Sequence, residues 1–380
     1  MSTATDIQVL VVGGRLGGLS CARWLQTAGL DPVVIEREAT SESFQGAITL
    51  CSDALQLLDR LGVGDAVRRA GRLVTEWTHR RPDGSVTTRL TTTDESGALV
   101  IEYGRLCETV AAGLPTESRH MGVTLQALRP TRGGVTAEFA NGVREQFDVV
   151  IGADGARSST RAHLDKPGAS FAGTTSVAVS LADTCDAVAE TWLPDGTVFR
   201  QLPTPADGRA VGWLTVPTTV PDTLDDRDAV LECCSPLEWG LADADAAAQP
   251  FQTWCAADFR IAEPCFADGR VGLVGDAAHA HHRLTGVGPI LALEDGAVLA
   301  AELTGRTDAP AARLADYAAR RRSRLTQLAL DNAAARPLAD VESRLAAREP
   351  AIPALRGDRL AACFGQQASA PAIDCSMFEE

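Results

Sequence analysis

The fold follows from one stretch near the start of the chain, Gln8-Val9-Leu10-Val11-Val12-Gly13-Gly14-Arg15-Leu16-Gly17-Gly18. The apolar run over residues 8–12 predicts a buried strand, and Leu19 to Ala28 has helical character that stops at Gly29. A second β-rich run, Val33 to Ile35, delivers Glu36 roughly 20 residues beyond the first glycine, where a carboxylate can accept hydrogen bonds from a ribose. This order predicts a Rossmann-like, dinucleotide-binding α/β unit.

Arg15 stands at the second glycine position of this loop. In the pattern Gly-x-Gly-x-x-Gly the first glycine makes the turn, the second lets the backbone approach a pyrophosphate, and the third lets helix and strand pack closely. Gly13 and Gly18 fill the first and third positions. We expect the Arg15 guanidinium to occupy volume that phosphates would fill. The motif therefore still predicts the fold, but it predicts dinucleotide binding less well.

Composition limits the class of protein and its partners. The 380 residues are 45% hydrophobic, which allows a large core in two domains or in one domain with a big insertion. The 50 acidic and 35 basic residues give a formal charge of -15, which disfavours nucleic acid and membrane surfaces and indicates a small substrate. The pattern contains no membrane span or signal peptide, so we expect a cytoplasmic protein. The ten cysteines lack zinc-ligand spacing, and we expect no metal site.

Two further motifs each consist of a strand-like run followed by a glycine turn. The first follows Phe147 to Ile151 and contains Asp154-Gly155. The second follows Arg270 to Val274 and reads Gly275-Asp276-Ala277-Ala278-His279, with Gly286-Val287-Gly288 opening a predicted helix that extends to Leu303. In both motifs an aspartate is placed to receive hydrogen bonds from hydroxyl or backbone groups.

Together the three motifs resemble the flavoprotein monooxygenases of the para-hydroxybenzoate hydroxylase type, with their glycine loop, D-G motif and G-D-A-A-H motif. The resemblance implies an α/β fold: a Rossmann-like dinucleotide-binding domain with an inserted, mainly antiparallel β-sheet substrate domain and C-terminal helices. It implies that residues 1–75, 100–165 and 266–345 form the FAD-binding-type domain. Residues 76–99 and 166–265 would form the substrate domain, and 346–380 a C-terminal extension.

The resemblance also implies a set of FAD-binding positions. The glycine loop and Glu36 would hold the adenosine half, and Asp276 the ribityl chain. The full set is Gly13, Gly14, Gly18, Glu36, Arg37, Asp154, Gly155, Gly275, Asp276, Gly286 and Gly288. NAD(P)H would be needed only if FAD is used.

Several residues depart from the family pattern where FAD would be held. The family commonly has an arginine after the ribose-binding glutamate and another ahead of the helix around Leu106; here Ser41-Glu42-Ser43 and Tyr103 occupy these places. After G-D-A-A-H the family usually has a proline, then G-Q-G and an asparagine. This chain instead has Arg283, Gly286-Val287-Gly288 and Ile290. Together with Arg15, the missing charge-assisted contacts, at about 1.5 to 3 kcal/mol each, predict that FAD is lost or weakly bound.

Three functions are open on this pattern. The favoured one is a natural-product tailoring enzyme that is flavin-independent and redox-neutral, and that cyclises, isomerises or rearranges a small hydrophobic substrate such as a polyketide. The alternative is a genuine FAD- and NAD(P)H-dependent monooxygenase that hydroxylates or epoxidises its substrate, with Arg15 turned to solvent or paired with the diphosphate. The third is a binding protein without turnover. The candidate pocket residues are Trp192, Arg200, Gln201 and Trp213, and the candidate catalytic residues are His281, His282 and Arg200.

Overall fold

The computed structural model describes residues 7–40, 46–93, 97–181, 186–205, 210–220, 237, 254–304 and 309–334. The segment Ser41-Glu42-Ser43 and the extension at 346–380 lie outside these residues. Across the described ranges, none of the helices has the length and apolar character needed to cross a membrane.

The strands follow one another as β1 Val9–Val12, β2 Val33–Glu36, β3 Ala47–Leu50, β4 Arg72–Val74, β5 Glu76–Arg80, β6 Val86–Thr91, β7 Ala98–Glu102, β8 Arg119–Met121, β9 Leu125–Pro130, β10 Val135–Phe139, β11 Arg144–Phe147, β12 Val149–Gly152, β13 Ser170–Leu181, β14 Val188–Trp192, β15 Val198–Pro203, β16 Ala210–Pro217, β17 Trp254–Arg260, β18 Ala267–Asp268 and β19 Val271–Leu273. The α-helices are α1 Leu16–Thr27, α2 Ser52–Arg60, α3 Gly64–Ala70, α4 Tyr103–Ala111, α5 Ser159–Ala162, α6 Asp276–His279, α7 Gly288–Thr304 and α8 Pro310–Ala334.

A six-stranded sheet carries the three sequence motifs. Its order is β18-β19-β12-β1-β2-β8, and every neighbouring pair is parallel except β18 and β19. All residues of β1 and β12 are buried, as expected for central parallel strands that are covered on both faces. The glycine turns after β1, β12 and β19 therefore meet at one edge of this sheet, because the carboxyl ends of parallel strands lie together.

Helices α1 and α7 pack against each other over this sheet and share its main hydrophobic core. Gly296 of α7 lies at their contact, where an added Cβ would come within 2.9 Å of the Cys21 Cα in α1. The absence of a side chain at this position lets the two helix backbones approach closely. This packing fixes the N-terminus of α1 relative to the third motif, which leads into α7.

A seven-stranded sheet forms the other large layer, in the order β17-β13-β16-β15-β14-β5-β6. All its neighbouring pairs are antiparallel except β14 with β5, which is parallel. Strands β5 and β6 come from an early excursion of the chain, and the other five follow the second motif. The α/β class with a mainly antiparallel inserted sheet is confirmed, while the domain boundaries themselves stay a prediction.

Two three-stranded sheets complete the described architecture, one in the order β3-β7-β4 and one in the order β11-β10-β9. The first joins the two large layers. Leu50, Leu99 and Ile101 belong to the main core beside the six-stranded sheet, whereas Ala47, Ala98 and Val100 share a buried cluster with Trp77 and Trp213 of the seven-stranded sheet. This cluster closes one side of the space between the layers. The candidate site lies in that space.

Candidate functional site

The glycine loop is held in shape by Glu36. The Glu36 carboxylate is buried at the end of β2, and it accepts hydrogen bonds from the backbone N–H of Gly14 at 2.8 Å and of Glu38 at 3.0 Å. The Gly13 N–H donates to the Ile35 carbonyl at 2.8 Å. Gly13 has φ = +118°, a conformation that L side chains rarely adopt, so the turn requires a glycine there. The loop thus keeps the turn and the acidic partner that its sequence predicts.

Arg15 fits this loop without backbone strain. It is the N-cap residue of α1, with φ = -98° and ψ = -173°, an extended conformation open to any residue. The adjacent Leu16 N–H, at the helix N-terminus, donates to the Tyr103 hydroxyl at 3.4 Å. Burial raises the pKa of that hydroxyl well above its usual range, and the charge of Arg15 partly offsets the increase. Arg15 and Tyr103 therefore belong to one local electrostatic environment.

In the second motif, the aspartate stabilises the turn that contains it. The Asp154 carboxylate accepts hydrogen bonds from the Ser158 and Ser159 hydroxyls, at 2.5 and 3.0 Å, and from the Thr160 N–H at 3.0 Å. Gly155 adopts φ = +80°, with no atom within 4 Å of an added Cβ. The backbone beside Gly155 is therefore open on the cleft side, where a ligand can approach it closely.

The third motif is fixed from behind by a buried ionic network. Asp295 accepts hydrogen bonds from the Gly275 N–H at 2.7 Å and from Arg321 Nε at 2.6 Å, and it lies 2.6 Å from His279 Nε2. Burial alone would raise the pKa of Asp295, but His279 and Arg321 lower it below its usual range. His279 is thus a structural member of the turn, and Asp276 is the acidic residue of the motif that faces the cleft.

The two other histidines of the third motif have different environments. His282 Nδ1 accepts from the Leu284 N–H at 3.2 Å, so Nε2 carries the proton and donates to the Thr174 hydroxyl at 2.8 Å. His282 is therefore a link between the turn and β13. His281 is accessible from the cleft, where removal of surrounding water, together with the neighbouring His279, lowers its pKa to about 4. Of the two predicted catalytic histidines, His281 is the one whose ring is not committed to such a link.

The floor of the cleft is formed by facing residues of β15 and β16. Arg200 lies directly opposite Trp213, and both line the cleft. Arg200 Nε and Nη2 donate to Glu190 Oε2 at 2.9 and 2.7 Å, which leaves Nη1 without a partner among the described residues. The Trp213 indole N–H donates to the Ala47 carbonyl at 2.7 Å, which fixes the ring against β3.

Arg283, from the third motif, is the third residue of this floor. Its guanidinium carbon lies 4.8 Å from the centre of the Trp213 ring, and its Nε donates to Asp258 Oδ1 at 3.0 Å. Asp258 is only 3% exposed and also accepts hydrogen bonds from the Thr174 and Ser176 hydroxyls. A carboxylate therefore anchors each of the two arginines of the floor. We call Arg200, Trp213 and Arg283 the arginine–tryptophan floor.

Two of the predicted pocket residues lie elsewhere. Gln201 is 2% exposed and is on the opposite face of β15 from Arg200, because successive side chains of a strand alternate between its faces. Trp192 donates its indole N–H to Glu190 Oε1 at 2.6 Å and does not line the cleft. The correction follows from strand geometry: neighbouring residues 200 and 201 cannot both face one pocket.

A single cleft of about 690 Å³ connects the glycine loop to the arginine–tryptophan floor. Of the predicted FAD-binding positions, those that line it are Gly13, Glu36, Arg37, Asp154, Gly155, Gly275, Asp276, Gly286 and Gly288. Gly14 packs against the side chain of Glu36, and Gly18 packs against the backbone of Gly13. Arg15 lines this cleft together with Gly13 and Gly17, and its effect on a bound cofactor stays a prediction.

Sequence reasoning overlooked Asp258 and treated Tyr103 and Arg283 only as departures from a pattern. Asp258 could have been noticed as an acidic residue inside the strand-like stretch Trp254-Cys255-Ala256-Ala257-Asp258-Phe259. A buried carboxylate needs hydrogen-bonding or charged partners, which indicates a polar site nearby. Its partners come from β13 and from the third motif, which are distant in sequence, so they could not be identified from local patterns.

Residues 6–333 match the family model described as FAD binding domain. The chain belongs to this family. It is 30% identical over 329 residues to aurachin C monooxygenase/isomerase of Stigmatella aurantiaca, covering 83% of this chain and 85% of that protein. It is 27% identical over 354 residues to 3-amino-4-hydroxybenzoate 2-monooxygenase of Streptomyces cremeus, covering 85% of each. The resemblance to flavoprotein monooxygenases of the para-hydroxybenzoate hydroxylase type is thereby confirmed.

Solved structures share the fold. Klebsiella pneumoniae HpxO complexed with FAD and uric acid matches with a TM-score of 0.75 at 22% identity, covering 99% of this chain and 91% of that one. The 2,6-dihydroxypyridine-3-hydroxylase from Arthrobacter nicotinovorans matches with a TM-score of 0.73 at 20% identity, covering 83% and 88%.

The chemistry of the cleft residues fits an FAD molecule. Glu36 places a carboxylate at the end of β2, where a ribose is recognised. Gly155 and Gly286, both with positive φ, line the cleft and have no atom within 4 Å of an added Cβ, so the backbone there is open to a ligand. The loop at Arg15 keeps an unstrained backbone conformation, and Arg15 lines the cleft.

Proposed function

We propose that this protein is an FAD- and NAD(P)H-dependent monooxygenase that tailors a small aromatic natural product carrying an acidic oxygen. The observation that supports this proposal is the single cleft that joins Glu36 and the glycine loop to the arginine–tryptophan floor. A cleft of this extent can hold a dinucleotide cofactor and a substrate end to end. The match to the FAD binding domain family over residues 6–333, and the relatives named as monooxygenases, support this function over the cofactor-free one that the sequence pattern favours.

Each part of the cleft has a role in this proposal. Glu36 and the glycine loop would hold the adenosine half of FAD, and Asp276 would hold its ribityl chain. When bound, FAD would supply the activation of dioxygen, with NAD(P)H as the electron donor. The seven-stranded sheet and β3 would enclose the substrate and exclude water. The unprotonated ring of His281 can accept a hydrogen bond from a substrate hydroxyl or ammonium group.

The arginine–tryptophan floor supports an aromatic substrate with an acidic oxygen. The Trp213 ring offers an apolar, polarisable surface, and the relatives named above act on compounds that include a hydroxybenzoate. Arg200 Nη1 has no partner among the described residues, so it can donate to a carboxylate, phenolate or enolate oxygen. The charge of Arg283, held by Asp258 beside Trp213, favours the same anionic group.

The test is a flavin measurement on the purified protein, followed by NAD(P)H oxidation with a panel of aromatic acids. We expect FAD at close to one molecule per chain, or its uptake when FAD is added. We also expect NAD(P)H oxidation that at least one acid stimulates, with a product one oxygen atom heavier. A protein that binds no FAD under any of these conditions would contradict the proposal.

A second function is favoured by one contact. The Tyr103 hydroxyl lies 3.4 Å from the Leu16 N–H, an amide at the helix N-terminus that would otherwise be available to a phosphate. If this contact keeps FAD out, the retained cleft would cyclise, isomerise or rearrange its substrate, which includes the polyketide class, without redox change. Colourless protein that converts a substrate in the absence of FAD and NAD(P)H, to a product of equal mass, would establish this function.

A further inference from the structure

We propose that Arg15 and Tyr103 form a diphosphate-binding pair, in which Arg15 supplies the cation and Tyr103 a hydroxyl donor at the N-terminus of α1. The inference rests on the proposed use of FAD and reverses the expectation that Arg15 obstructs the cofactor. It makes the most unusual residue of the glycine loop a determinant of cofactor affinity.

The position of Arg15 carries the first step. A dinucleotide diphosphate binds at the glycine loop and the helix N-terminus, where backbone N–H groups and the helix dipole favour negative charge. Arg15 is the N-cap residue of that helix and lines the cleft. Its backbone is extended and unstrained, so the side chain starts from the wall of the diphosphate subsite.

The other arginines of the cleft have partners outside the glycine loop. Arg37 pairs with Glu38 at 3.6 Å, and Arg157 lies 5.6 Å from the Phe259 ring centre. In the arginine–tryptophan floor, Arg200 is paired with Glu190 and Arg283 with Asp258. Among the cleft-lining arginines in the described part of the chain, Arg15 is the one that belongs to the glycine loop.

A cation is useful there because the cleft that would hold the diphosphate is lined by acidic groups. Glu36, Asp154 and Asp276 all line the same cleft. Two of them already accept hydrogen bonds from the protein, but all would face the negative charges of a diphosphate. A guanidinium is suited to offset this repulsion, since it offers several donors in a planar array and binds phosphate oxygens in pairs.

Tyr103 provides the second component. Its hydroxyl oxygen accepts a hydrogen bond from the Leu16 N–H, and its proton, which can point to the neighbouring Cys107 thiol, can turn to a phosphate oxygen, a much stronger acceptor than sulfur. Burial raises the pKa of this hydroxyl, which keeps it protonated at neutral pH. The hydroxyl can therefore relay the donor character of the helix N-terminus to a phosphate oxygen. Arg15 and Tyr103 thus supply a charge and a donor side by side.

The experiment measures the affinity of cofactor-free full-length protein for FAD by flavin fluorescence, and for ADP and adenosine by calorimetry. The variants are Arg15→Gln, Arg15→Gly and Tyr103→Phe. We expect both Arg15 variants to bind FAD and ADP about 10- to 100-fold more weakly, with adenosine binding unchanged, because one charge-assisted contact to the diphosphate is lost. Tyr103→Phe should weaken FAD and ADP binding by about threefold to tenfold.

Arg105→Gln is the matched control. Arg105 lies on the exposed side of α4 near Tyr103 and pairs with Glu108, so its substitution removes the same charge without touching the cleft. It should bind FAD as the wild type does. If Arg15→Gly binds FAD as tightly as the wild type or more tightly, the pair is not a diphosphate site and the proposed use of FAD still stands. A wild type that takes up no FAD overturns both proposals.

Discussion

At the scale of single residues, the charges of the cleft are arranged in anchored pairs. Arg200 is held by Glu190 and Arg283 by Asp258; the Arg283 guanidinium lies over the Trp213 ring, and Arg200 is the cross-strand neighbour of Trp213. Because each cation is fixed before a ligand arrives, little side-chain entropy is lost on binding. Recognition of an anionic ligand here depends on placement of charge rather than on flexible contacts.

The first prediction concerns Arg200. Replacement by glutamine removes the charge at the floor while leaving an amide that can still pack against Trp213. We expect Arg200→Gln to weaken binding of naphthalene-2-carboxylate about tenfold and to leave binding of naphthalene-2-carboxamide unchanged, because only the carboxylate needs the cation. Quenching of tryptophan fluorescence measures both affinities.

Arg89→Gln serves as the control for this prediction. Arg89 is an exposed residue of β6 in the same sheet, paired with Glu76 at 3.2 Å, and it does not line the cleft. It should bind both probes as the wild type does. Equal loss of the carboxylate and the carboxamide in Arg200→Gln would argue for a general packing defect and against anion recognition.

The second prediction concerns pH and His281. Its pKa is about 4 in the folded protein, against an ordinary value of 6.5, because surrounding water is removed and His279 lies nearby. Between these values the unfolded chain binds a proton that the folded chain does not, so stability falls as the pH decreases through this window. We expect the urea midpoint to fall less in His281→Gln than in the wild type over the same range.

His120→Gln is the comparison for that measurement. His120 is an exposed residue of β8, away from the cleft of His281. This variant should follow the wild-type pH profile. Identical profiles for His281→Gln and the wild type would show that His281 keeps an ordinary proton affinity in the fold.

At the scale of secondary-structure elements, the contact between α1 and α7 sets the position of the glycine loop. Both helices start at a cleft-lining turn, and Gly296 lets their axes approach. A change in their separation would move the N-terminus of α1 relative to the third motif. The close contact therefore serves the geometry of the site as well as the stability of the core.

The third prediction tests this contact with Gly296→Ala. An added methyl group would lie 2.9 Å from the Cys21 Cα, so the helices must separate, at a cost of about 1 to 3 kcal/mol in the free energy of unfolding. The higher helix propensity of alanine, about 1 kcal/mol, offsets only part of this cost. Urea denaturation measures the difference. Gly168→Ala, at an exposed position with no atom within 4 Å of the new methyl group, should leave stability nearly unchanged.

The strands and turns around the cleft show how much of this fold and site can be predicted from the sequence. The three glycine turns and their strands were recognisable because each requirement is local: a buried run, a positive φ, a carboxylate at a fixed spacing. The arginine–tryptophan floor could be predicted only in part from the sequence. Arg200 and Gln201 are neighbours in sequence but face opposite sides of β15, and the partners of Asp258 come from distant segments. Those contacts depend on sheet pairing, which no short pattern specifies.

At the scale of the whole molecule, the cleft lies between the two large sheets, so a ligand that fills it contacts both layers.

The fourth prediction follows from this position. A ligand that binds only the folded state stabilises it by about 2.7 kcal/mol at a concentration of 100 times its Kd. We expect the Tm to rise with FAD concentration in the wild type, and to rise less in Arg15→Gln at equal FAD. A Tm that does not respond to FAD would contradict the prediction.

The parallel pairing of Glu76–Arg80 with Val188–Trp192 has a consequence for synthesis on the ribosome. The hairpin of β5 and β6 leaves the ribosome long before the strand that it must join. The six-stranded sheet likewise cannot be completed before Val271–Leu273 has been synthesised. Because domains generally fold as units during translation, the nascent chain cannot complete either layer until most of it has been made. Both edges of the unfinished sheets are exposed in that interval, so chaperone demand should be greatest late in translation.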